Sequence, residues 1–198
     1  MSAPLTWGSE RGDAEMRAAR AAGWRRRDLI WERWQERANR DLAAGRRVAA
    51  FRGFRRALWL ARLSFDRGDP RWATSLANAA FAARDRGAVR RAARLYARAI
   101  ARWERAPAAL SAMQIKPRAR SSLFHLRMEA RHWDTYRANL ERRLRGFHGE
   151  SASALEALAR GGPAPCRLHE RWRGEKPSVF DDTRKFLAAC LLIVSEPR

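Results

Sequence analysis

β-Branched residues are scarce: Val, Ile and Thr together number 12 among 198 residues, too few to build a large sheet. Lysine is nearly absent, with 3 residues against 39 arginines, and acids are half as numerous as bases, 21 against 42. Cysteine occurs twice, as Cys166 and Cys190, which excludes a disulfide framework and suits a reducing cytosol. No apolar run reaches the roughly 18 residues of a membrane span, since the longest, Phe186 to Val194, is about half that. The opening stretch Met1 to Gly8 lacks a basic-then-apolar layout, which predicts a non-secreted, cytoplasmic protein. What is plentiful is Arg and Ala, 39 of each, together with nine Trp and eight Phe. Arg and Ala both favour helix, and the aromatics argue for a packed core, so the composition predicts an all-α globular protein. The Ala bias and the excess of Arg over Lys are similar to those of proteins from GC-rich bacterial genomes. Such a bias leaves the net charge of +21 unexplained, because acids were free to rise with it.

Punctuation along the chain divides it into three parts. Residues 1–27 read as a mobile extension with a short helix within Asp13 to Ala22. A helical region, 28–147, is interrupted by Gly45, Gly68-Asp69-Pro70, Gly87, Pro107 and Lys116-Pro117. In 148–198, an Ala/Leu helix over Ser151 to Arg160 stops at Gly161-Gly162-Pro163, and a Pro/Gly loop leads to a helix over Asp182 to Val194 capped by Ser178 or Asp181. This last part is expected to pack on the middle one.

Within the helical region the chain repeats itself. Gly45, Ala50, Phe54 and Ala57 recur, 42 residues on, as Gly87, Ala92, Tyr96 and Ala99, while Ala38 and Ala80 mark a matching small position before each. Trp34 precedes the first small residue by four and Leu76 the second. Small residues let two antiparallel helices approach, a ring and a second Ala fill the facing side, and Gly supplies the left-handed turn. This order of aromatic, small residue, turn Gly, Ala, aromatic and Ala resembles the tetratricopeptide repeat over about residues 31–104. The resemblance implies antiparallel helix pairs stacked as a short solenoid with an extra C-terminal helical segment. It departs in period, 42 rather than about 34, which points to an insertion or helix extension over Phe65 to Trp72. Pro117 to Arg131 and Trp133 to Phe147 read as a third, degenerate pair.

Catalytic motifs are lacking: the chain has no Gly-rich phosphate loop, no zinc-protease helix motif and no nucleophile elbow. Cys166 and His169 have metal-ligand spacing, but His125, His132 and His148 are scattered and Cys190 lies in an apolar stretch, so no metal or other cofactor is expected. No small-molecule substrate is evident either. The Asp181-Asp182 pair reads as a helix cap.

Charge is more informative. Leu42 to Phe65 holds six Arg and no acid, and so does Arg86 to Trp103. Aligning the repeats superposes Arg52 on Arg94 and Arg56 on Arg98, each pair at i, i+4 and turned away from the small and aromatic rows. Like charges at that spacing repel by a few tenths of a kcal/mol, so an anionic cover suits them. Asn39 and Asn78 fall on first helices, where the resemblance implies an inner groove that clamps a carboxylate tail, with Lys116 and Arg120 completing it. Gln35 stands where that clamp has a cation. The sequence therefore predicts a non-enzymatic scaffold holding an acidic protein or a larger complex. The alternative is a nucleic-acid-binding helical protein using Arg and Trp, with anionic lipid headgroups a weaker third option.

Overall fold

A helix opens at Arg26, where the Arg25 amide donates to the Asp28 carboxylate at 2.7 Å and an acid stands in the first turn. The computed structural model describes residues 17, 20–21, 23–112 and 130–162. Its elements are α1 (Arg26–Ala43), α2 (Arg47–Ser64), α3 (Pro70–Asp85), α4 (Val89–Trp103), α5 (Ala106–Ser111) and α6 (Ala130–Ala159). All described elements are helices, so the class is all-α.

Two antiparallel hairpins, α1 with α2 and α3 with α4, form the body. Their turns match bond for bond at the 42-residue offset. In the first, Gly45 N–H donates to the Leu42 carbonyl at 2.9 Å and Arg46 N–H to the Asp41 carbonyl at 2.8 Å. In the second, Gly87 N–H donates to the Arg84 carbonyl at 2.8 Å and Ala88 N–H to the Ala83 carbonyl at 2.9 Å. Both glycines sit in the left-handed region, φ 75° and 74°, closing each helix with a Schellman motif. Asp69 then starts α3 by accepting the Arg71 amide at 2.9 Å, with Pro70 in the first turn. The long period arises here, because α2 continues to Ser64 and a loop of residues 65–69 follows.

The repeated rows form the inner faces of the hairpins. Ala50, Phe54 and Ala57, like Ala92, Tyr96 and Ala99, are buried, as are Ala38 and Ala80. At the first crossing the helices nearly touch: a Cβ on Gly53 would lie 2.7 Å from the Ala38 Cβ. α3 is central, its buried residues running from Pro70 to Ala83 with Ala79 alone only partly covered.

α6 corrects the expected layout of the C-terminal part. The helices placed over Trp133 to Phe147 and Ser151 to Arg160 are one continuous helix, and the boundary at 147/148 falls inside it. Gly146 and Gly149 do not break it, because mid-helix Gly costs only about 1 kcal/mol against Ala. Buried Leu144, Ser151, Leu155 and Leu158 carry a single face across both halves. Its middle is pinned by a reciprocal pair, Trp103 Nε1 donating to the His148 carbonyl at 3.1 Å and His148 Nε2 to the Trp103 carbonyl at 2.7 Å. The two rings stack at 5.6 Å, 10° from parallel. The helix stops where expected, at Gly161, with φ 87° and Gly162 N–H donating to the Ala157 carbonyl at 2.9 Å. The first arm of the expected third pair, the loop with Cys166 and His169, Asp181, Asp182 and Cys190 lie outside the described residues.

Candidate binding surface

Helical phase decides which side chains reach solvent. With Ala50, Phe54 and Ala57 turned inward, Arg52, Arg55 and Arg56 must point outward, and all three are exposed. On α4 the same phase exposes Arg90, Arg91, Arg94 and Arg98. The sequence-predicted set Arg52, Arg56, Arg94 and Arg98 therefore lies on the outer faces of the second helices. Neither α2 nor α4 carries an acid in its first turn, where the helix dipole favours one. Two Arg at the turns are neutralised: Arg46 pairs with Asp41 at 2.7 Å and Arg47 with Asp85 at 3.0 Å. Among the described residues, no carboxylate forms an ion pair with Arg52, Arg55, Arg56, Arg62, Arg90, Arg91, Arg94 or Arg98.

Apolar groups interrupt this cationic face. Trp59 is 62% exposed and Leu63 66%, and they continue the row set by Arg52 and Arg56 at one-turn steps along α2. Val48 and Val89 stand 68% and 65% exposed at the starts of α2 and α4. Sequence reasoning missed Trp59 and Leu63, although the offsets 52, 56, 59 and 63 place all four residues on one helical stripe.

The inner-groove set fares differently. Asn78 is fully buried, and its amide nitrogen donates to Gln35 Oε1 at 2.9 Å. The groove position expected for Asn78 is thus a packing position between α1 and α3, a correction that follows from how closely these helices meet. Asn39 is partly buried, and Lys116 and Arg120 lie outside the described residues.

Asn78 belongs to a polar seam that joins the two first helices. The Ser75 hydroxyl accepts from Trp31 Nε1 at 2.8 Å and from Gln35 Nε2 at 3.2 Å, and donates to the Arg71 carbonyl at 2.8 Å. Arg71, buried, reaches Asp28 at 2.5 Å and Asp69 at 2.5 Å, with its guanidinium 3.6 Å from the Phe65 ring centroid. Burial pulls the Arg71 guanidinium down, but hydrogen bonds and charge from Asp69 and Asp28 together outweigh it and hold the group above its ordinary value. Among the described residues, none of the seam's buried side-chain polar atoms is without a hydrogen-bond partner, so it serves cohesion rather than recognition.

Among the described residues, no three His, Cys, Asp or Glu gather as metal ligands, and no helix is long and apolar enough to cross a membrane. Comparison with family models, curated proteins and solved structures yields no match for this chain.

Proposed function

We propose that this chain is a non-enzymatic interaction scaffold of tetratricopeptide-like hairpins whose outer face, formed by α2 and α4, holds an acidic protein partner. The repeat reading is supported by the matched Gly45 and Gly87 turns and by the buried small and aromatic rows 42 residues apart. The observation that carries the functional reading is the exposed stripe Arg52, Arg56, Trp59 and Leu63, with no acid on its helix. Trp and Arg are the side chains that dominate protein interfaces when buried there, and exposed Leu63 and Val48 add apolar area around them. The surplus of positive charge disfavours a second copy of the same face and favours an acidic one. Two cysteines and no disulfide framework fit a cytoplasmic home for such a scaffold.

The test is capture of partners from nuclease-treated extract of the host, followed by binding kinetics of the captured protein. Replacing Arg52, Arg56, Arg94 and Arg98 together by Gln should slow association, with the deficit shrinking as salt rises, and should leave the helical content intact. Affinity that survives this change refutes the outer-face reading. Binding that vanishes with nuclease, and falls steeply with salt, establishes the nucleic-acid alternative instead.

A further inference from the structure

At the C-terminal end of α4 the cationic face takes on a built form. The Arg102 guanidinium lies over the Trp72 ring, 4.1 Å from its centroid, and Nη1 donates to the Arg67 carbonyl at 2.5 Å. Trp72 is itself fixed, buried with its indole N–H donated to the Phe65 carbonyl at 3.1 Å. Among the described residues, Arg102 is therefore held by a ring and a carbonyl rather than by a counter-charge. Arg98 stands one turn earlier and Arg105 three residues later, both exposed, as is Arg67. Of the neighbouring acids, Asp66 and Glu104 pair with no described residue and Asp69 is committed to Arg71. Partial burial, then the like charges of Arg98, Arg67 and Arg105, hold the Arg102 guanidinium below its ordinary value. A cation so placed gains from any anion that joins it, since the anion relieves both the lost hydration and the crowding.

We propose that Arg102, held over Trp72, together with its neighbours Arg67, Arg98 and Arg105, forms a site for a tetrahedral oxyanion of charge −2, such as a phosphate group. One guanidinium fork satisfies a carboxylate, whereas four oxygens and two charges match several forks at once. The stack on Trp72 leaves the edge of Arg102 pre-positioned, which lowers the ordering cost of binding. This site goes beyond the scaffold reading and does not rest on it, because a small anion and the free chain suffice to test it.

Isothermal titration of the full chain at constant ionic strength, with inorganic phosphate, sulfate, phosphoserine and acetate as probes, examines the site. Phosphate and sulfate should bind at one saturable site, with acetate weaker by about tenfold or more, the equivalent of one lost charge-assisted hydrogen bond. Tighter binding of phosphoserine assigns the site to a phosphorylated ligand and tighter binding of inorganic phosphate to the free ion; either supports it. Arg102→Gln should weaken binding by about tenfold or more, and the exposed pair Arg67→Gln with Arg105→Gln should do the same without touching the stack. Arg37→Gln with Arg40→Gln, both exposed on α1, removes the same charge elsewhere and should leave binding unchanged. Absence of saturable binding, equal response to all anions, or an equal loss in the Arg37 and Arg40 control overturns the proposal.

Discussion

Gly53 lies in the middle of α2, where replacement by Ala ordinarily stabilises a helix by about 1 kcal/mol. Here the added methyl would sit 2.7 Å from the Ala38 Cβ, with the Ala38 Cα and the Trp34 carbonyl oxygen each at 3.5 Å. Carbon atoms prefer about 3.5–4.0 Å, and Ala38 has no torsion with which to withdraw. The two helices would have to part by roughly 1 Å, loosening the contacts of Phe54 and Ala57, both fully buried. Overpacking of this kind costs about 1–3 kcal/mol, so Gly53→Ala should be a net loss of up to about 2 kcal/mol instead of a gain. In a chain of this size each kcal/mol lowers Tm by about 2–4 °C, which thermal unfolding followed by circular dichroism resolves. The decisive measurement is a double-mutant cycle with Ala38→Gly. That change alone should also destabilise, but it removes the obstructing methyl, so the double variant should fall short of the summed losses by at least about 1 kcal/mol. A higher Tm for Gly53→Ala, or strict additivity in the cycle, refutes the close approach of α1 and α2.

Gly45→Val and Gly87→Val should each cost about 1–3 kcal/mol, because a β-branched residue is forced to positive φ. Gly68→Val, where φ is ordinary and nothing lies within 4 Å of the added Cβ, should be nearly neutral in the same urea titration. Arg71→Met leaves the buried Asp28 carboxylate without its guanidinium partner, and should cost about 3–5 kcal/mol in chemical unfolding. A loss below about 1 kcal/mol there would mean that water reaches the seam.

The hairpins were legible because their determinants are local. Gly45, Gly87 and Gly161 announce positive φ, Asp69-Pro70 announces a helix start, and small and aromatic spacing marks the buried face. Exposure of Arg52, Arg56, Arg94 and Arg98 then follows by rotation around the helix axis. Three things were hidden for physical reasons. A mid-helix glycine such as Gly53 looks like a flaw until the opposing Ala38 is known. Gly146 and Gly149 look like breaks, yet tertiary contacts on both sides, through Leu144, His148 and Leu155, outweigh their weak propensity. Polar residues on a helix read as solvent-facing by default, and Gln35 and Asn78, 43 residues apart, satisfy each other only when α1 and α3 meet. That pairing turned the groove expected at Asn78 into core.

The α1–α3 seam also gives the array a direction. α1 offers Asp28, Trp31 and Gln35, and α3 answers with Arg71, Ser75 and Asn78. Shifted back by the 42-residue period, the answering positions are Leu29, Arg33 and Glu36, none of which reproduces the match. A tandem copy of the first hairpin would therefore meet itself with a leucine against Asp28 and a glutamate against Gln35. The joint works like a keyed coupling: the first hairpin accepts the second but not another of its own kind. Lengthening this protein by duplicating a hairpin would require a new key at every added joint, and circular exchange of the two hairpins would break the one it has.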